Sequence, residues 1–476
     1  MREINDKNMD MARRVAGAVR DAGGRTYFVG GFVRDQLLGR ENKDIDIEVH
    51  GISVKSLEEI LDSLGERITM GASFGIMSLR HYELDIAMPR SEVATGRGHK
   101  DFEVFVDPFL GEEKASSRRD FTMNALMQDV LTGEVLDFFG GREDIARGQI
   151  RHVNDLTFKE DPLRVFRAAQ FAARFEFTVA EETTGIASSM DVSALAGERV
   201  MMELEKALLK AERPSVFFEE LRKMNQLSVW FPEIANLIGV PQNPRFHPEG
   251  DVWVHTMQVL DEAAKVRMKA SEPLWLMLSA LCHDLGKAVV TAESGGSVHA
   301  YAHEKEGIPL ARTFLGRLTN QVKLTEYVLN MTLYHMEPNK LVENGAHPKA
   351  FMKLYDQSIH AEDLLLLAKA DHLGRVANGT DREMLAEGYE KTERFLRQML
   401  ELYRERMSQP YVMGRDLIQA GVKPGPMLGE ALSYAHKLRL AGIKKEDQLK
   451  QVLGTMREKS RKAEQADGKR EESTLS

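Results

Sequence analysis

Two short patterns near the start of the chain could perform chemistry. Gly30 and Gly31 end an apolar run and precede a segment of helical character, within Phe28-Val-Gly-Gly-Phe-Val-Arg-Asp-Gln-Leu-Leu-Gly39. A strand, a glycine turn and a helix N-terminus together direct backbone N–H groups at one point, where phosphate commonly binds. Arg34 lies in the first helical turn, so it is expected to add a fixed positive charge.

The second pattern is a pair of carboxylates. Asp44 and Asp46 alternate with Ile45 and Ile47 in a stretch that predicts a strand. Side chains two apart on a strand share a face, so both carboxylates can point into one open site while the isoleucines are buried. Neighbouring carboxylates repel unless a hard cation lies between them. A phosphate site beside a dication pair is what phosphoryl or nucleotidyl transfer needs.

The joint order of these motifs, G-G-x-V-R-D-x-L-L-G and then D-x-D, resembles the nucleotidyltransferase superfamily related to polymerase beta. Within it, the pattern is similar to the class II tRNA nucleotidyltransferases and poly(A) polymerases. The resemblance implies an α+β protein whose head has a small mixed sheet with helices. It also implies Mg²⁺ at Asp44 and Asp46, and a third carboxylate near the attacking 3′-hydroxyl, a place that Asp85 matches.

The elements that must position these residues can be traced along the chain. Apolar spacing predicts an amphipathic helix over Val54 to Leu64. Two alternating strands follow, Ile76 to Arg80 and Tyr82 to Ala87, and in the second one Asp85 faces away from the apolar residues. The polar stretch Pro89 to Asp107 lacks periodicity and predicts a mobile loop.

A third motif, Ser117-Arg-Arg-Asp-Phe-Thr-Met-Asn-Ala-Leu126, matches the family pattern R-R-D-h-x-x-N-A. If the segment is helical, Asp120 and Asn124 are four apart and share a face. By resemblance, Arg119 contacts the triphosphate and Asp120 the ribose.

A fourth motif, Glu160-Asp-Pro-Leu-Arg-Val-Phe-Arg167, matches the family pattern E-D-x-x-R-x-x-R, which selects the incoming base. Cytosine and adenine both present an amino donor beside a ring-nitrogen acceptor. A carboxylate at Asp161 and a guanidinium at Arg164 complement that edge, whereas uracil and guanine would leave buried groups unpaired at about 1–3 kcal/mol each. Asp161 is also a natural N-cap before Pro162, and both roles can coexist. Arg167 would brace Arg164 or reach the base.

A second chemistry begins after Pro241. His255, the dyad His283-Asp284 and Asp371 occur in the order H…HD…D, which resembles the HD phosphohydrolase superfamily. His303 and His335 are further candidate ligands. Mixed nitrogen and oxygen donors suit Mn, Fe, Ni or Zn better than Mg alone, and water bound to such a metal becomes a nucleophile near neutral pH.

Composition bounds the class of protein. The 476 residues are 43% hydrophobic and 29% charged, as in globular proteins with several domains. Cys282 is the single cysteine, so no internal disulfide can form, and with no signal-peptide pattern or long apolar run the expectation is a cytoplasmic protein without membrane association. The net charge of −9 does not exclude RNA, because binding depends on local basic surface.

These motifs predict a CCA-adding tRNA nucleotidyltransferase that uses tRNA, CTP and ATP and carries a fused HD domain, with no prediction of oligomeric state. A poly(A) polymerase is the rival reading, disfavoured because Gly71 to Leu79 lacks the basic stretch of those enzymes. Partial CC or A addition, an HD hydrolase with a degenerate head that holds RNA, and a structural RNA-binding module are further alternatives. The predicted division is a head (1–150), a helical neck for base selection (151–236), an HD domain (237–395), a helical tail that contacts tRNA (396–458) and a disordered end (459–476).

Overall fold

The computed structural model describes residues 2–42, 44–70, 76–94, 102–376 and 382–474. The chain divides into two compact units, which are considered separately below. The first comprises Met1–Ala235 with Arg317–Thr319, and the second comprises Asn236–Gly316 with Asn320–Ser476. The finer division into five segments stays a prediction.

The strands of the first unit are short. They are β1 (Arg25–Val29), β2 (Ile45–His50), β3 (Arg67–Met70), β4 (Ile76–Leu79), β5 (Leu84–Ala87), β6 (Arg90–Ala94), β7 (Phe102–Val106), β8 (Met127–Asp129), β9 (Val135–Leu136), β10 (Gln149–Ile150) and β11 (Thr178–Val179).

The earlier helices of the first unit flank the sheet, and the later helices make up the second half of the unit. They are α1 (Arg2–Asp21), α2 (Gly31–Leu37), α3 (Val54–Leu64), α4 (Glu112–Ser116), α5 (Gly141–Arg147), α6 (Asp155–Glu160), α7 (Leu163–Phe175), α8 (Glu181–Ser188), α9 (Gly197–Lys210), α10 (Ser215–Lys223), α11 (Leu227–Trp230) and α12 (Pro232–Ala235). A 3-10 turn spans Thr122–Asn124.

The main sheet of the first unit has the strand order β3-β4-β5-β2-β1-β8-β9. Strands β2 and β5 are parallel, and the other pairs in this sheet are antiparallel. Apolar side chains of α1, α3, β2 and β5 form one buried cluster beneath the sheet. The small mixed sheet with helices confirms the predicted fold class of the head.

Local patterns predicted some elements more accurately than others. Helix α3 has the predicted bounds, and the hydroxyl of Ser53 caps it by accepting a hydrogen bond from the N–H of Ser56 at 3.1 Å. The stretch Pro89 to Asp107, predicted as a loop, contains the antiparallel pair β6 and β7 in the register Arg90↔Val106. That prediction was wrong for these strands, because Val and Phe in the pairing segments favour extended structure. Residues 95–101 of the predicted loop lie outside the described residues.

The second unit is mostly helical, as predicted. Its elements are α13 (Val252–Val266), α14 (Pro273–Cys282), α15 (Lys287–Val290), β12 (Ala292–Ser294), β13 (Ser297–His299), α16 (His303–Leu318), α17 (Val322–Tyr334), α18 (Glu337–Glu343), α19 (Pro348–Gln357), α20 (Ala361–Leu373), α21 (Arg382–Ser408), α22 (Gly414–Gln419), α23 (Pro426–Leu440) and α24 (Lys445–Thr474). A short 3-10 helix, Arg267–Lys269, follows α13.

Helices α13, α14 and α20 form the centre of the HD segment. Residues Leu276 to Cys282 of α14 are all buried, which explains why this helix is apolar on every side. Helices α22, α23 and α24 enclose a separate small apolar cluster that includes Leu417 and Val452.

The disordered end predicted for 459–476 stays a prediction, and in the structure the described part of this segment is helical. Helix α24 continues to Thr474. Its composition, rich in Lys, Glu, Arg, Gln and Ala, has high intrinsic helix propensity even though it has few apolar residues. Within the described residues, no helix combines the length and the apolarity needed to cross a bilayer.

Candidate active sites

The carboxylates of the first unit meet because β2 and β5 are parallel neighbours. Their register places Asp46 directly opposite Asp85, and Asp44 immediately precedes β2. The apolar residues that alternate with them on both strands are buried, whereas Asp44 and Asp85 are exposed and Asp46 is partly buried. The structure therefore brings the three predicted carboxylates together at two neighbouring interior strands of the sheet.

Burial and the neighbouring carboxylates shift the pKa of Asp46. Burial, followed by the charges of Asp85 and Asp44, raises the pKa of Asp46 to about 6, although Arg119 opposes the shift. A divalent cation would relieve this repulsion, and carboxylate oxygens are the ligands that Mg²⁺ prefers. The donor set thus fits the predicted metal.

Two cavities meet at these carboxylates. A cavity of about 630 Å³ is lined by Asp44, the base-selection motif and the glycine turn, and a second one of about 390 Å³ is lined by Asp85 and residues of β2. Both cavities share Asp46, Arg118, Arg119 and Arg164. Because a nucleotide and an acceptor hydroxyl must meet at one phosphorus, two spaces that join at shared charged residues suit a transfer reaction.

The glycine turn lets arginines approach the backbone closely. Gly30 has φ of 65°, and a Cβ there would lie 3.2 Å from Nη1 of Arg119. A Cβ on Gly31 would lie 3.3 Å from Nη2 of Arg34. The positive φ of Gly30 disfavours larger residues there, and a Cβ at either glycine would require the neighbouring guanidinium to shift by a few tenths of an ångström.

Arg119 is the exposed cation of this turn. Its side chain is 33% exposed, and its Nη2 lies 3.5 Å from Oε2 of Glu48. Burial alone would raise the pKa of Glu48, but a hydrogen bond with His50 and the charge of Arg119 lower it. Glu48 is therefore an anion that anchors Arg119 beside Asp46.

Arg34 has a different environment from the one that its motif predicts. Its side chain is 5% exposed, its Nε donates to Oδ1 of Asp35 at 2.8 Å, and its Nη1 donates to Oδ1 of Asn124 at 2.6 Å. Asn124 in turn donates to Asp120 at 2.9 Å, and Nε of Arg167 donates to Asp120 at 2.7 Å. Arg34 lines the larger cavity, but its guanidinium is already committed to this buried chain of hydrogen bonds.

Asn42 connects the same chain to the first carboxylate. Its amide donates to Oδ2 of Asp35 at 2.8 Å, and its Oδ1 accepts from the N–H of Asp44 at 3.0 Å. The buried network beneath the cavity therefore determines the backbone position of Asp44.

The predicted base-selection residues line the larger cavity, but both have partners within the protein. Oδ1 of Asp161 accepts from the N–H of Leu163, the first residue of α7, at 3.1 Å, although the residue next to that helix is Pro162 and not Asp161. Nη2 of Arg199 lies 3.0 Å from Oδ2 of Asp161. Arg164 donates to the carbonyl oxygens of Thr157 at 2.8 Å and Arg118 at 3.0 Å. These contacts orient both side chains.

Sequence reasoning missed several polar residues that line the larger cavity. They are Asp35, Arg174, Arg199, Lys206 and Lys210. The last three recur on α9 at a spacing compatible with one helical face, and that periodicity could have identified them. Asp35 is part of the quoted motif G-G-x-V-R-D, which could have identified it, and its partner is the preceding residue Arg34.

In the second unit, all six predicted HD residues converge and are buried. Their ligand atoms form two groups, each within 4.8 Å: His255 with His283 and Asp371, and Asp284 with His303 and His335. Asp284 faces both groups. Its Oδ2 lies 3.2 Å from Nε2 of His283, and its Oδ1 lies 3.2 Å from Nε2 of His303.

Three of the four histidines are oriented by the backbone. Nδ1 of His283, His303 and His335 lies 2.7 Å, 2.9 Å and 2.7 Å, respectively, from the carbonyl oxygen three residues earlier. A hydrogen bond at Nδ1 leaves the lone pair on Nε2, which faces the centre, and this is the usual arrangement of metal-binding histidines. Burial, followed by the charge of His283, lowers the pKa of His335 to about 3, so that ring is neutral.

Charged neighbours keep the two aspartates ionised. Burial would raise the pKa of Asp284, but Lys287 and His283 hold it well below its usual range. Arg375 and His255 do the same for Asp371. Oδ2 of Asp284 lies 2.7 Å from Nζ of Lys287, whereas Oδ1 of Asp284 and Nε2 of His303 have no well-aligned hydrogen bond among the described residues. Lone pairs left in this state at a buried centre fit a divalent transition metal.

Comparison with family models gives three matches. The poly A polymerase head domain matches residues 26–151, the HD domain matches residues 252–375, and a model described as the probable RNA and SrmB-binding site of polymerase A matches residues 177–238.

Several curated proteins are similar over most of their length. The multifunctional CCA protein of Pasteurella multocida is 35% identical over 410 residues, which cover 83% of this chain and 92% of that protein. Its namesake in Nitrosococcus oceani is 38% identical over 359 residues, covering 73% and 84%.

Solved structures share the fold. An apo CCA-adding enzyme aligns with a TM-score of 0.65 at 20% identity, covering 94% of this chain and 96% of that one. The Bacillus stearothermophilus CCA-adding enzyme in complex with CTP aligns with a TM-score of 0.64 at 20% identity, covering 96% and 99%.

Fold and site together define a nucleotidyltransferase head joined to an HD domain. The identity to the curated relatives, 35% and 38% over most of this chain, is high enough to assign the family. This chain belongs to the multifunctional CCA protein family, and it is a CCA tRNA nucleotidyltransferase.

We expect the buried Arg34–Asp35 pair to be essential for stability. Asp35→Ala leaves the guanidinium of Arg34 buried with fewer partners, at a cost of about 3–5 kcal/mol, whereas Asp44→Ala removes an exposed carboxylate and should change stability by less than about 0.5 kcal/mol. Urea unfolding of both variants measures the difference. Equal stability of the Asp35 variant and the wild type would contradict the inferred role of the pair.

Proposed function

We propose that the first unit adds C, C and A to the 3′ end of tRNA from CTP and ATP, and that the register of Asp46 with Asp85 carries this assignment. The structural relatives include one described as Thermotoga maritima CCA-adding enzyme complexed with tRNA_CCA, aligned with a TM-score of 0.58 at 20% identity, and others complexed with ATP and CTP. The nucleotide would occupy the larger cavity and the tRNA end the smaller one.

The residues around the reacting phosphorus have separate tasks in this proposal. Divalent cations held by Asp44 and Asp46 would neutralise the triphosphate and make the α-phosphorus more electrophilic. Asp85 orients the 3′-hydroxyl, or accepts its proton, as the oxygen attacks. Pyrophosphate leaves toward Gly31 and Arg119, whose exposed guanidinium offsets the developing charge.

Base selection in this proposal depends on Asp161 and Arg164. The carboxylate accepts the amino proton of cytosine or adenine, and the guanidinium donates to the ring nitrogen. Arg199, on α9, donates hydrogen bonds to the carboxylate of Asp161, and Arg164 donates to a backbone carbonyl oxygen. Prior orientation of both groups supports their use as a fixed template.

We further propose that the HD site is a dinuclear metal centre that hydrolyses phosphoesters, including 2′,3′-cyclic phosphates. The two ligand groups, with Asp284 in contact with a histidine of each, are the observation that supports it. Bound metal would supply a water nucleophile at neutral pH. A neighbouring cavity of about 460 Å³ offers Lys287, Lys340 and Arg375 as cations for a phosphate.

The carboxylate assignment predicts that Asp46→Asn abolishes nucleotide addition with Mg²⁺ without unfolding the protein. The change keeps the shape of the side chain and removes its charge. Single-turnover addition to tRNA lacking its CCA end is the measurement. Glu83→Gln is the matched control, because Glu83 precedes Asp85 by two residues on the same hairpin and is not among the residues that line either cavity. Retention of more than a few per cent of activity in the Asp46 variant would exclude the assignment.

The template assignment predicts different errors for the two base-selection residues. Asp161→Ala should relax exclusion of UTP, and Arg164→Ala should lower the efficiency of both CTP and ATP by roughly ten- to a hundred-fold. Incorporation of each of the four triphosphates, with a thermal melt, is the measurement. Asp251→Ala removes an N-cap of α13 in the other unit and controls for lost stability alone. If the Asp161 variant is destabilised yet still excludes UTP, this residue is only a cap.

The two activities should be separable, because their residues belong to different compact units. His283→Ala should remove metal-dependent hydrolysis of 2′,3′-cyclic phosphates and retain CCA addition, and Asp46→Asn should do the reverse. Both activities are measured on both proteins. Wild-type protein that hydrolyses no phosphoester with Mn²⁺, Ni²⁺, Mg²⁺ or Zn²⁺ would show that the hydrolase proposal is wrong.

A further inference from the structure

His255 is oriented differently from the other histidines of the HD site. The others use a backbone carbonyl at Nδ1, whereas Nδ1 of His255 lies 2.7 Å from Oε1 of Glu249. The contact is close but not aligned as a hydrogen bond, and Nδ1 of His255 has no other hydrogen-bond partner among the described residues. An anion at this distance favours the tautomer with the proton on Nδ1, which leaves the lone pair on Nε2. That Nε2 lies 3.1 Å from Oδ1 of Asp371 and 3.4 Å from Nε2 of His283, among the atoms of the first ligand group.

Glu249 has a buried carboxylate. Its side chain is 0% exposed, and its Oε1 also lies 2.9 Å from Nδ1 of His247, whose ring packs edge-on against His255 at 4.8 Å. The other oxygen, Oε2, has no hydrogen-bond partner among the described residues. A buried anion with one unpaired oxygen is costly unless its charge has a use.

The loop that carries Glu249 is held to the helix that carries His255. Asp251 caps α13 by accepting from the N–H of Val254 at 2.9 Å, and it accepts from the N–H of Gly239 at 2.7 Å. The distance between Glu249 and His255 therefore depends on fixed backbone and not on a mobile side chain alone.

We propose that Glu249 is a positioning residue of the HD metal centre. Its carboxylate fixes the ring and tautomer of His255 and makes the group His255, His283 and Asp371 the tighter of the two metal positions. An imidazole that donates to a carboxylate is a more basic ligand than one that donates to a carbonyl, and the loss of such a partner typically weakens metal binding about 10- to 100-fold. This inference rests on the metal centre proposed above, but not on the identity of its substrate.

The test is a calorimetric titration of metal-free, full-length protein with Mn²⁺, with and without Glu249→Gln, in each case in an Asp46→Asn background that removes the proposed cation site of the head. The reference protein, with Glu249 unchanged, should bind two equivalents of different affinity at the HD centre. In Glu249→Gln the tighter equivalent should weaken about 10- to 100-fold, while the second changes little. The absorption spectrum of Co²⁺-loaded protein should change with the tighter equivalent, because the ligand geometry at His255 is altered.

Glu304→Gln is the matched control. Glu304 lines the cavity at the HD centre, and its substitution removes the same charge. It directly follows His303 in the chain, but no hydrogen bond or ion pair joins its side chain to a ligand histidine within the described part of the chain. Thermal melts of the metal-free proteins show whether Glu249→Gln is folded. If it is not, Glu249→Asp, which keeps the charge but withdraws it from His255, should give the same selective loss.

Four results would overturn the inference: unchanged affinity in the folded Glu249 variants, an equal loss in Glu304→Gln, a reference protein that binds no metal, or a third equivalent that disappears in Glu249→Gln. The last would make Glu249 a ligand together with His247. A reference protein that binds metal as expected but hydrolyses no phosphoester would remove the proposed hydrolase activity and leave the role of Glu249 supported.

Discussion

The parallel pairing of β2 and β5 is the constraint on which the transferase site depends. It holds Asp46 opposite Asp85, although the two carboxylates repel and the pKa of Asp46 rises to about 6. The strands stay paired because their alternate residues are buried in the head core, and each such side chain contributes about 1.5–3 kcal/mol. Hydrophobic burial on one face of the sheet therefore maintains an electrostatically unfavourable arrangement on the other.

The HD centre maintains its charges by a different means. Its aspartates have no exposed face, so neighbouring cations and histidines keep them ionised, with Lys287 beside Asp284 and Arg375 beside Asp371. Breaking a buried ionic cluster at one member typically leaves another charge uncompensated. A centre of this kind tolerates few substitutions, whereas the open carboxylate site of the head can lose a charge without loss of packing.

The floor of the larger transferase cavity shows how buried polar contacts organise exposed ones. A chain of hydrogen bonds runs from Asn42 through Asp35, Arg34 and Asn124 to Asp120. The network thereby connects residues of two separate motifs beneath the cavity. Hydrogen-bond networks of this kind act as a unit, so their members should not be treated as independent contacts to substrate.

The sequence by itself determined the class of both sites. Alternation on a strand placed Asp44 and Asp46 on one face, because that pattern depends on local periodicity. The order of the histidine and aspartate residues indicated the HD group by its resemblance to that superfamily. Only the tertiary structure decided which of these side chains are paired within the protein and which are available to a substrate. It buried Arg34 against Asp35, paired Arg199 with Asp161, and brought Glu249 to His255. These pairs depend on the packing of loops and helices in three dimensions, which leaves no periodic trace in the chain.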